Sequence, residues 1–230
     1  MTDLSERYIR NEKMLSAEEN RKLRSFNIAV IGCGGLGGNI IEMLARLGIG
    51  RLTLIDGDVF EPSNLNRQLL STPENMGQPK AKEAGKRVRL INPDVKVVSK
   101  QTRLEEHNAE ELLRGHDLII DALDNIPTRL MIEGVAAELQ IPVVFGAIAG
   151  WYAHIGSILP GDRLLEKLYL DSEREKGSET YLGNPSFTPA LAASLQVAEA
   201  VKILLGREGV LQNKLLMIDT LKHEYHVIDM

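Results

Sequence analysis

Residues 26–56 read FNIAVIGCGGLGGNIIEMLARLGIGRLTLID, and this stretch decides the fold. Phe26–Ile31 is a short apolar run that ends in glycines, which predicts a buried strand. Leu36–Leu47 has apolar residues at helical spacing, and Leu52–Ile55 predicts a second strand that ends at Asp56. Strand, helix and strand in this order are typical of a parallel sheet flanked by helices.

Strand-like and helix-like segments continue to alternate along the chain. Further helices are predicted from Ser16 to Arg24, Pro79 to Ile91, Pro127 to Gln140 and Pro189 to Leu205, and further strands at Val95–Ser99, Asp117–Asp121, Val143–Phe145, Ile155–Leu159, Leu215–Ile218 and Glu224–Ile228. We therefore predict an α/β fold with a Rossmann-like, doubly wound, mostly parallel sheet and antiparallel C-terminal strands.

The predicted elements divide the chain into an arm and one large domain. Residues 1–25 form an N-terminal helical arm, in which Ser16 and Glu19 have the spacing of a capping box. Residues 26–230 form a single domain. Residues 160–187 are charged and contain Gly and Ser, so we expect an exposed, mobile segment there.

Composition excludes several classes of protein. The 230 residues include one cysteine, which excludes a disulfide framework and a four-thiolate zinc site. The net charge of −5 argues against a nucleic-acid or membrane partner. The N-terminus lacks the apolar core of a signal peptide, and no apolar run approaches the length of a membrane span. We therefore expect a cytoplasmic protein.

The glycines after the first predicted strand point to a nucleotide. The stretch Gly32-Cys33-Gly34-Gly35-Leu36-Gly37 contains the G-x-G-x-x-G pattern, which allows a tight turn and a close approach of phosphate to a helix N-terminus. Asp56 ends the second strand, where a carboxylate can accept hydrogen bonds from ribose hydroxyls. A turn that merely allows close packing is the alternative interpretation of these glycines.

Cationic residues after Asp56 favour a triphosphate over a dinucleotide. Arg67 and Lys80 follow the second strand, and Lys80 lies at the start of a predicted helix. Hydride transfer does not need these cations, whereas a phosphoryl group that gains charge does. Asp124 and Asn125 follow the fourth strand and offer the oxygen ligands that magnesium prefers.

These residues resemble the ThiF/MoeB/HesA family, the bacterial relatives of ubiquitin-activating enzymes. The matching stretches are Arg7-Tyr8-Ile9-Arg10, Gly32–Gly37, Asp56-Gly57-Asp58, Ser63–Gln68, Gly77-Gln78-Pro79-Lys80, Ile91-Asn92-Pro93, Asp121–Asn125 and Ser194–Ala200. They cover most of the chain in the family's order. The resemblance implies an ATP-binding adenylation domain that uses ATP and Mg²⁺ to adenylate the C-terminal glycine of a ubiquitin-like sulfur carrier ending in Gly-Gly, with release of pyrophosphate. It also implies a homodimer.

The resemblance assigns roles to individual positions. The residues implied to bind the nucleotide are Gly32, Gly34, Gly35, Gly37, Asp56, Asp58, Asn64, Arg67, Lys80, Asp124 and Asn125. Of these, Arg67 and Lys80 would be catalytic because they would stabilise the charge that develops during transfer, and Asp124 would bind magnesium. Arg10 matches an arginine that such dimers insert into the partner's site, in the manner of an arginine finger.

The chain departs from the family in its thiols. Many members bind structural zinc through two Cys-x-x-Cys pairs, which are absent here, so we expect no zinc. His223 and His226 do not replace them, because residues three apart in a strand face opposite sides. Cys33 lies within the glycine turn, where its small size accounts for it. The thiol that would consume an adenylate is therefore expected on another protein.

Less specific interpretations of single residues remain open at this point. Arg67 could be a surface arginine, Arg10 could pair with Glu6 or Glu12, and Asp58 could cap a turn. Among whole-protein functions, the alternatives are a tRNA-modifying relative of the threonylcarbamoyladenosine dehydratase type, an NAD- or FAD-dependent oxidoreductase, and a non-catalytic scaffold. Leu65 and the negative net charge favour the carrier-activating function over the tRNA-modifying one.

Overall fold

The computed structural model describes residues 6–170 and 182–230, in which eight strands form one sheet. The strands are β1 (Asn27–Ile31), β2 (Arg51–Ile55), β3 (Lys96–Lys100), β4 (Leu118–Asp121), β5 (Val143–Ala149), β6 (Tyr152–Ile158), β7 (Lys214–Asp219) and β8 (Glu224–Asp229). The α-helices are α1 (Ala17–Leu23), α2 (Gly35–Leu47), α3 (Lys80–Ile91), α4 (Glu106–Leu113), α5 (Ile126–Leu139), α6 (Leu164–Leu168) and α7 (Phe187–Leu205). Short 3₁₀ helices cover Glu6–Asn11, Pro62–Asn64 and Pro73–Asn75.

The sheet has the predicted topology. Its strand order is β3-β2-β1-β4-β5-β6-β7-β8. The strands from β3 to β5 in this order pair in parallel, and the remaining pairs, from β5 to β8, are antiparallel. From β1 the chain adds β2 and β3 on one side of the sheet and then β4 and β5 on the other, so the switch point lies between β1 and β4. A crevice at the carboxyl ends of the strands is expected at such a switch point, and it is where ligands bind in open α/β sheets.

Helices cover both faces of the sheet, which confirms the doubly wound arrangement. Ile28 and Val30 of β1 belong to one buried cluster, together with residues of α2, α3 and α7. Ala29 and Ile31 belong to a second cluster, together with residues of α4, α5 and α6. Because side chains alternate between the faces of a strand, a continuous apolar run such as β1 requires a helical layer on each side.

Helix α7 is the longest helix of the described residues, and it packs across α2, β5 and β6. By length and composition it alone among the described helices could cross a membrane, but 56% of its most apolar window is buried inside the protein. Its Gln196 Nε2 also donates a hydrogen bond to the Asp121 carbonyl at 2.8 Å. These features are those of a core helix.

The turn between β1 and α2 is set by two glycines. Gly32 has a φ of +94°, and a Cβ atom there would lie 2.7 Å from the Ala122 carbonyl oxygen. A Cβ atom on Gly37 would lie 1.9 Å from the Gly32 carbonyl oxygen. Helix α2 therefore rests directly on the turn, with no room for a side chain between them.

The N-terminal arm packs against the amino edge of the sheet. The predicted capping box is confirmed, since the Ser16 and Glu19 side chains each accept a hydrogen bond from the other residue's backbone N–H. Asn92 Nδ2 donates to the Tyr8 hydroxyl at 2.7 Å, directly after the C-terminal end of α3. Tyr8 also lies against Gly48, at the C-terminal end of α2. Strands and their following helices run in opposite directions, so the arm lies opposite the carboxyl edge.

The prediction of a continuous exposed segment at residues 160–187 is wrong for its first part. Helix α6 lies there, and Leu164 and Leu165 are fully buried. The Glu133 carboxylate accepts hydrogen bonds from the backbone N–H groups of Leu165 and Glu166, at 2.7 and 3.0 Å. Charged residues at the surface of α6 concealed its two apolar anchors. Residues 171–181 of the predicted segment lie outside the described residues.

Three further details differ from the sequence analysis. Helix α4 occupies a segment for which no element is predicted, and strand β6 begins at Tyr152, three residues before the predicted start. His223 has a φ of +58° and lies in the turn before β8, so the argument that His223 and His226 share a strand is wrong.

We expect Gly37→Ala to destabilise the fold, because the new methyl group would displace either α2 or the Gly32 carbonyl. Overpacking of this kind costs about 1–3 kcal/mol in the free energy of unfolding. The matched control is Gly134→Ala in α5, where a Cβ atom meets no atom within 4 Å and alanine favours the helix. Urea unfolding measures both variants. Equal unfolding midpoints for Gly37→Ala and the unmodified protein would contradict the close approach.

Candidate active site

A cavity of about 610 Å³ opens at the carboxyl edge of the sheet, at the switch point between β1 and β4. Its walls are the turn after β1, the residues that follow β2, β3 and β4, and the end of β5. The predicted site residues that line it are Gly32, Gly34, Gly35, Asp56, Asp58, Arg67, Lys80, Asp124 and Asn125. The structure thus brings together most of the residues that the sequence analysis selects, from segments far apart in the chain.

The glycine turn forms one wall of the cavity. Gly34 is the N-cap residue of α2, and no side chain caps this helix. The first N–H groups of an α-helix have no partner within the helix and attract anions. Gly34 and Gly35 line the cavity at this point, whereas Gly37 is buried beneath the turn. Gly37 therefore serves helix packing and does not reach the cavity.

Asp56 is held rigidly at the end of β2. Its Oδ2 accepts a hydrogen bond from the Cys33 N–H at 2.7 Å, and its Oδ1 accepts one from the Asp58 N–H at 2.8 Å. Burial raises the pKa of this carboxyl above its usual range, and the two hydrogen bonds oppose the shift. The carboxylate ties the β1 turn to the β2 turn and faces the cavity.

Lys80 is a buried cation at the start of α3, and its side chain is 11% exposed. Its Nζ lies 3.5 Å from Asp58 Oδ2, and Arg103 Nη2 lies 3.3 Å from Asp58 Oδ1. Lys82 and Lys86 of the same helix are exposed. Asp58 is the carboxylate near this buried lysine and is shared with Arg103, so the two cations together can also serve an anionic ligand in the cavity.

Arg67 faces the cavity from the turn that follows Pro62–Asn64. Its Nη1 donates hydrogen bonds to the Ser63 carbonyl at 2.9 Å and to Asn66 Oδ1 at 3.0 Å. These bonds fix the guanidinium, and Cγ of the same side chain lies 3.8 Å from a Cβ position on Gly35 in the glycine turn.

Asn64 does not line the cavity, unlike the other polar residues predicted nearby. It is buried, and its Oδ1 accepts the Glu61 N–H at 3.0 Å, while its carbonyl accepts the N–H groups of Arg67 and Gln68. The structure therefore places Asn64 as the side chain that shapes the turn bearing Arg67.

Two amide side chains that the sequence analysis did not assign also face the cavity. The buried atoms Gln68 Oε1 and Asn184 Oδ1 have no hydrogen-bond partner among the described residues. Unpaired buried acceptors cost free energy, so a ligand donor that reached either oxygen would recover that cost. Asn66 Nδ2 donates to the Asn184 carbonyl at 3.1 Å and connects this wall to the Arg67 turn.

Asp124 and Asn125 follow β4 and differ in what their side chains do. Asp124 is exposed at the cavity. Asn125 Oδ1 accepts the Thr128 N–H at 2.9 Å and caps α5, so this oxygen already has a structural partner. A single carboxylate suffices for magnesium that is held mainly by phosphates and water. Within the described residues, no group of three or more His, Cys, Asp or Glu side chains gathers as a metal site.

Arg10 lies apart from the other predicted site residues. It is exposed on the 3₁₀ helix of the arm, beside the Tyr8 contacts at the amino edge of the sheet. The cavity lies at the opposite, carboxyl edge. Arg10 therefore does not line this cavity.

Arg129 and Arg103 are the cavity cations that sequence reasoning missed. Arg129 is 5% exposed and lies on the inner side of α5. The sequence carries a signal for the burial of Arg129. This arginine stands three residues before Ile132, so the two lie on the same, buried face of α5. Arg103 follows β3, and nothing in the local sequence distinguishes it from an arginine exposed to solvent.

Cys33 is fully buried in the glycine turn, in agreement with the structural interpretation. Burial raises the pKa of its thiol well above the usual range, and the charge of Asp56 adds to the shift. A thiol nucleophile needs access and a lowered pKa, and Cys33 has neither.

Comparison with known proteins finds relatives that match along nearly the whole of this chain. The "Sulfur carrier protein adenylyltransferase" of Thermus thermophilus is 37% identical over 218 residues, which span 90% of this chain and 80% of the relative. The "SAMP-activating enzyme E1" of Haloferax volcanii is 33% identical over 228 residues, which span 97% of this chain and 84% of the relative.

The fold is also similar to that of solved structures. The crystal structure of E. coli MccB with ATP superimposes with a TM-score of 0.84 at 22% identity, covering 99% of this chain and 72% of that one. At 22% sequence identity, this similarity shows a shared fold and nothing about activity. Residues 7–230 match the ThiF family, and since the match spans nearly the whole chain, the chain belongs to the ThiF family.

Proposed function

We propose that this protein is an adenylyltransferase that uses ATP to adenylate the C-terminal glycine carboxylate of a ubiquitin-like sulfur-carrier protein. The observation that carries the proposal is the composition of one cavity, which combines an uncapped helix N-terminus with buried Lys80, Arg67 and the carboxylate of Asp124. The names of the relatives from Thermus and Haloferax support the class of reaction and the ubiquitin-like sulfur carrier.

The reaction needs cations more than it needs acid–base groups. A carboxylate oxygen of the carrier attacks the α-phosphorus of ATP, a C–O–P linkage forms, and the bond between the α-phosphorus and the bridging oxygen breaks. Pyrophosphate leaves with that electron pair. Negative charge grows on the phosphoryl oxygens, and Lys80 and Arg67 stand where they can neutralise it.

The orientation of ATP follows from the two ends of the cavity. The N–H groups at Gly34 and Gly35 suit the phosphates. Asp56 suits the ribose hydroxyls, because each of its oxygens retains a lone pair after the bonds from the Cys33 and Asp58 backbone N–H groups. Magnesium bound by Asp124 and the phosphates would offset the charge of the triphosphate and of the pyrophosphate.

The proposal includes a homodimer in which Arg10 completes the partner's site. Arg10 lies opposite the cavity of its own subunit, so only another subunit can bring it to a nucleotide. Ile9 and Met14 beside it are 53% and 56% exposed, which gives the arm an apolar surface for a partner.

Any thiol that attacks the adenylate must come from outside these 230 residues. Cys33 is inaccessible, and the 230 residues contain no other thiol. Since the reaction consumes ATP, which cells supply in the cytoplasm, the proposal places it there. Neither the tRNA-modifying nor the oxidoreductase alternative receives support from the relatives, whose names are those of carrier-activating enzymes. The site's cations also argue against a non-catalytic scaffold.

Exchange of labelled pyrophosphate into ATP tests the function. We expect exchange with Mg²⁺ and a carrier that ends in Gly-Gly, and none with the same carrier lacking its last glycine. If no carrier of this type supports exchange, the proposal fails. Exchange that requires only a small carboxylic acid would redirect it to another acyl substrate.

Lys80→Ala and Arg67→Ala should each lower the exchange rate about 10²-fold or more, because each removes a charge that stabilises the transition state. The matched control is Lys82→Ala, which removes an exposed lysine from the same helix and should retain the full rate. Thermal unfolding confirms that the variants are folded. A Lys80→Ala variant with the rate of Lys82→Ala would exclude the assigned role.

Mixing inactive subunits tests Arg10. After random exchange of Arg10→Ala with Lys80→Ala subunits, half of the dimers are mixed and each holds one complete site, so about a quarter of the normal rate should return. Exchange of subunits is verified by native mass spectrometry. Mixed dimers that stay inactive would show that Arg10 does not act across the interface.

A further inference from the structure

Arg129 forms part of the floor of the cavity, and the proposed reaction assigns it no role. Its side chain is 6% exposed, and its guanidinium lies 5.0 Å from the centre of the Phe145 ring. Asp121, at the end of β4, is fully buried, and its Oδ2 lies 3.4 Å from Arg129 Nε. Desolvation offsets much of the attraction within a buried charged pair, so the pair itself adds little to the stability of the fold.

Arg129 donates hydrogen bonds to two backbone carbonyls and to one side-chain hydroxyl. Nη2 donates to the carbonyls of Leu123 and Gly146, the latter at 3.0 Å. Nη1 donates to the Tyr169 hydroxyl at 3.1 Å. These bonds engage both terminal nitrogens of the guanidinium, so its function is to hold protein groups in place.

Asp121 and Arg129 together hydrogen-bond both backbone polar groups of Leu123. Asp121 Oδ1 accepts the Leu123 N–H at 2.9 Å, and Arg129 Nη2 donates to the Leu123 carbonyl. Leu123 immediately precedes Asp124 in the chain. Both peptide groups around Leu123 are thus fixed, which sets the direction in which Asp124 leaves the strand.

We propose that Arg129 is a positioning residue that, with Asp121, holds Asp124 in place to bind the magnesium of Mg·ATP. The inference rests on the proposed function, since it assigns a metal role to Asp124. Groups that orient a metal ligand without touching the metal commonly affect metal affinity about 10–100-fold. A lysine at position 129 would retain the charge beside Asp121 but would carry its donors on one nitrogen, whereas Arg129 reaches Tyr169 from Nη1 and the two carbonyls from Nη2.

Nucleotide binding measured with a fluorescent ATP analogue tests the inference through magnesium. In Arg129→Lys, the Mg²⁺ concentration for half-maximal binding should rise about 10-fold, while binding without Mg²⁺ changes less than about 2-fold. Arg46→Lys, an exposed arginine of α2, is the matched control and should leave the Mg²⁺ midpoint unchanged. An unshifted midpoint in Arg129→Lys would overturn the proposal.

A double-mutant cycle separates positioning from a general loss of structure. Asp124→Asn should itself raise the Mg²⁺ midpoint, and adding Arg129→Lys to it should cause little further change, because Arg129 acts through Asp124. Fully additive shifts would mean that Arg129 acts independently, and they would also overturn the proposal.

Hydrogen exchange of the nucleotide-free protein tests whether Arg129 holds Leu123 and Asp124 in place, independently of the proposed function. Amides in residues 122–126 should exchange at least about 10-fold faster in Arg129→Lys, while those of β1 remain unchanged. Unchanged exchange in residues 122–126 would refute the contact. If Arg129→Lys does not fold, the pair Arg129→Gln with Asp121→Asn removes both buried charges and should give the same two shifts. A wild-type protein that binds no nucleotide would refute the proposed function alone.

Discussion

The contact between Gly37 and the Gly32 carbonyl is the constraint on which the site depends. Since no side chain fits between them, the N-terminus of α2 lies directly on the end of β1. That contact places the uncapped N–H groups of Gly34 and Gly35 at the carboxyl edge of the sheet, beside Asp56. Lys80, Arg67 and Asp124 can act on the same phosphates as these N–H groups because the Gly32–Gly37 contact brings the start of α2 to their edge of the sheet.

Charge in the cavity is arranged in two layers. Lys80, Arg67 and Asp124 face the space where a nucleotide would lie. Beneath them, Arg129 and Asp121 bond to backbone and to each other. Burying the lower layer costs desolvation free energy. In exchange, the lower layer fixes the geometry of the upper one. An electrostatic mechanism needs this fixed geometry, because misplaced charges stabilise the transition state little.

The sequence predicts the fold well where burial enforces a pattern. Strand β1 and helix α2 follow from an apolar run and helical spacing, and the glycines mark their junction. Prediction fails where a few apolar anchors suffice, as in α6, whose surface is charged. It also fails where a polar side chain serves the backbone: Asn64 and Asn125 shape a turn and cap a helix, and Asn is favoured at both kinds of position as well as in ligand sites.

A crystal structure with a non-hydrolysable ATP analogue and Mg²⁺ tests the account most directly. The account predicts the triphosphate on the N–H groups of Gly34 and Gly35, and Lys80 Nζ within about 3 Å of a phosphate oxygen. It also predicts the metal on Asp124. A triphosphate directed away from the glycine turn, with Lys80 still beside Asp58, would contradict it.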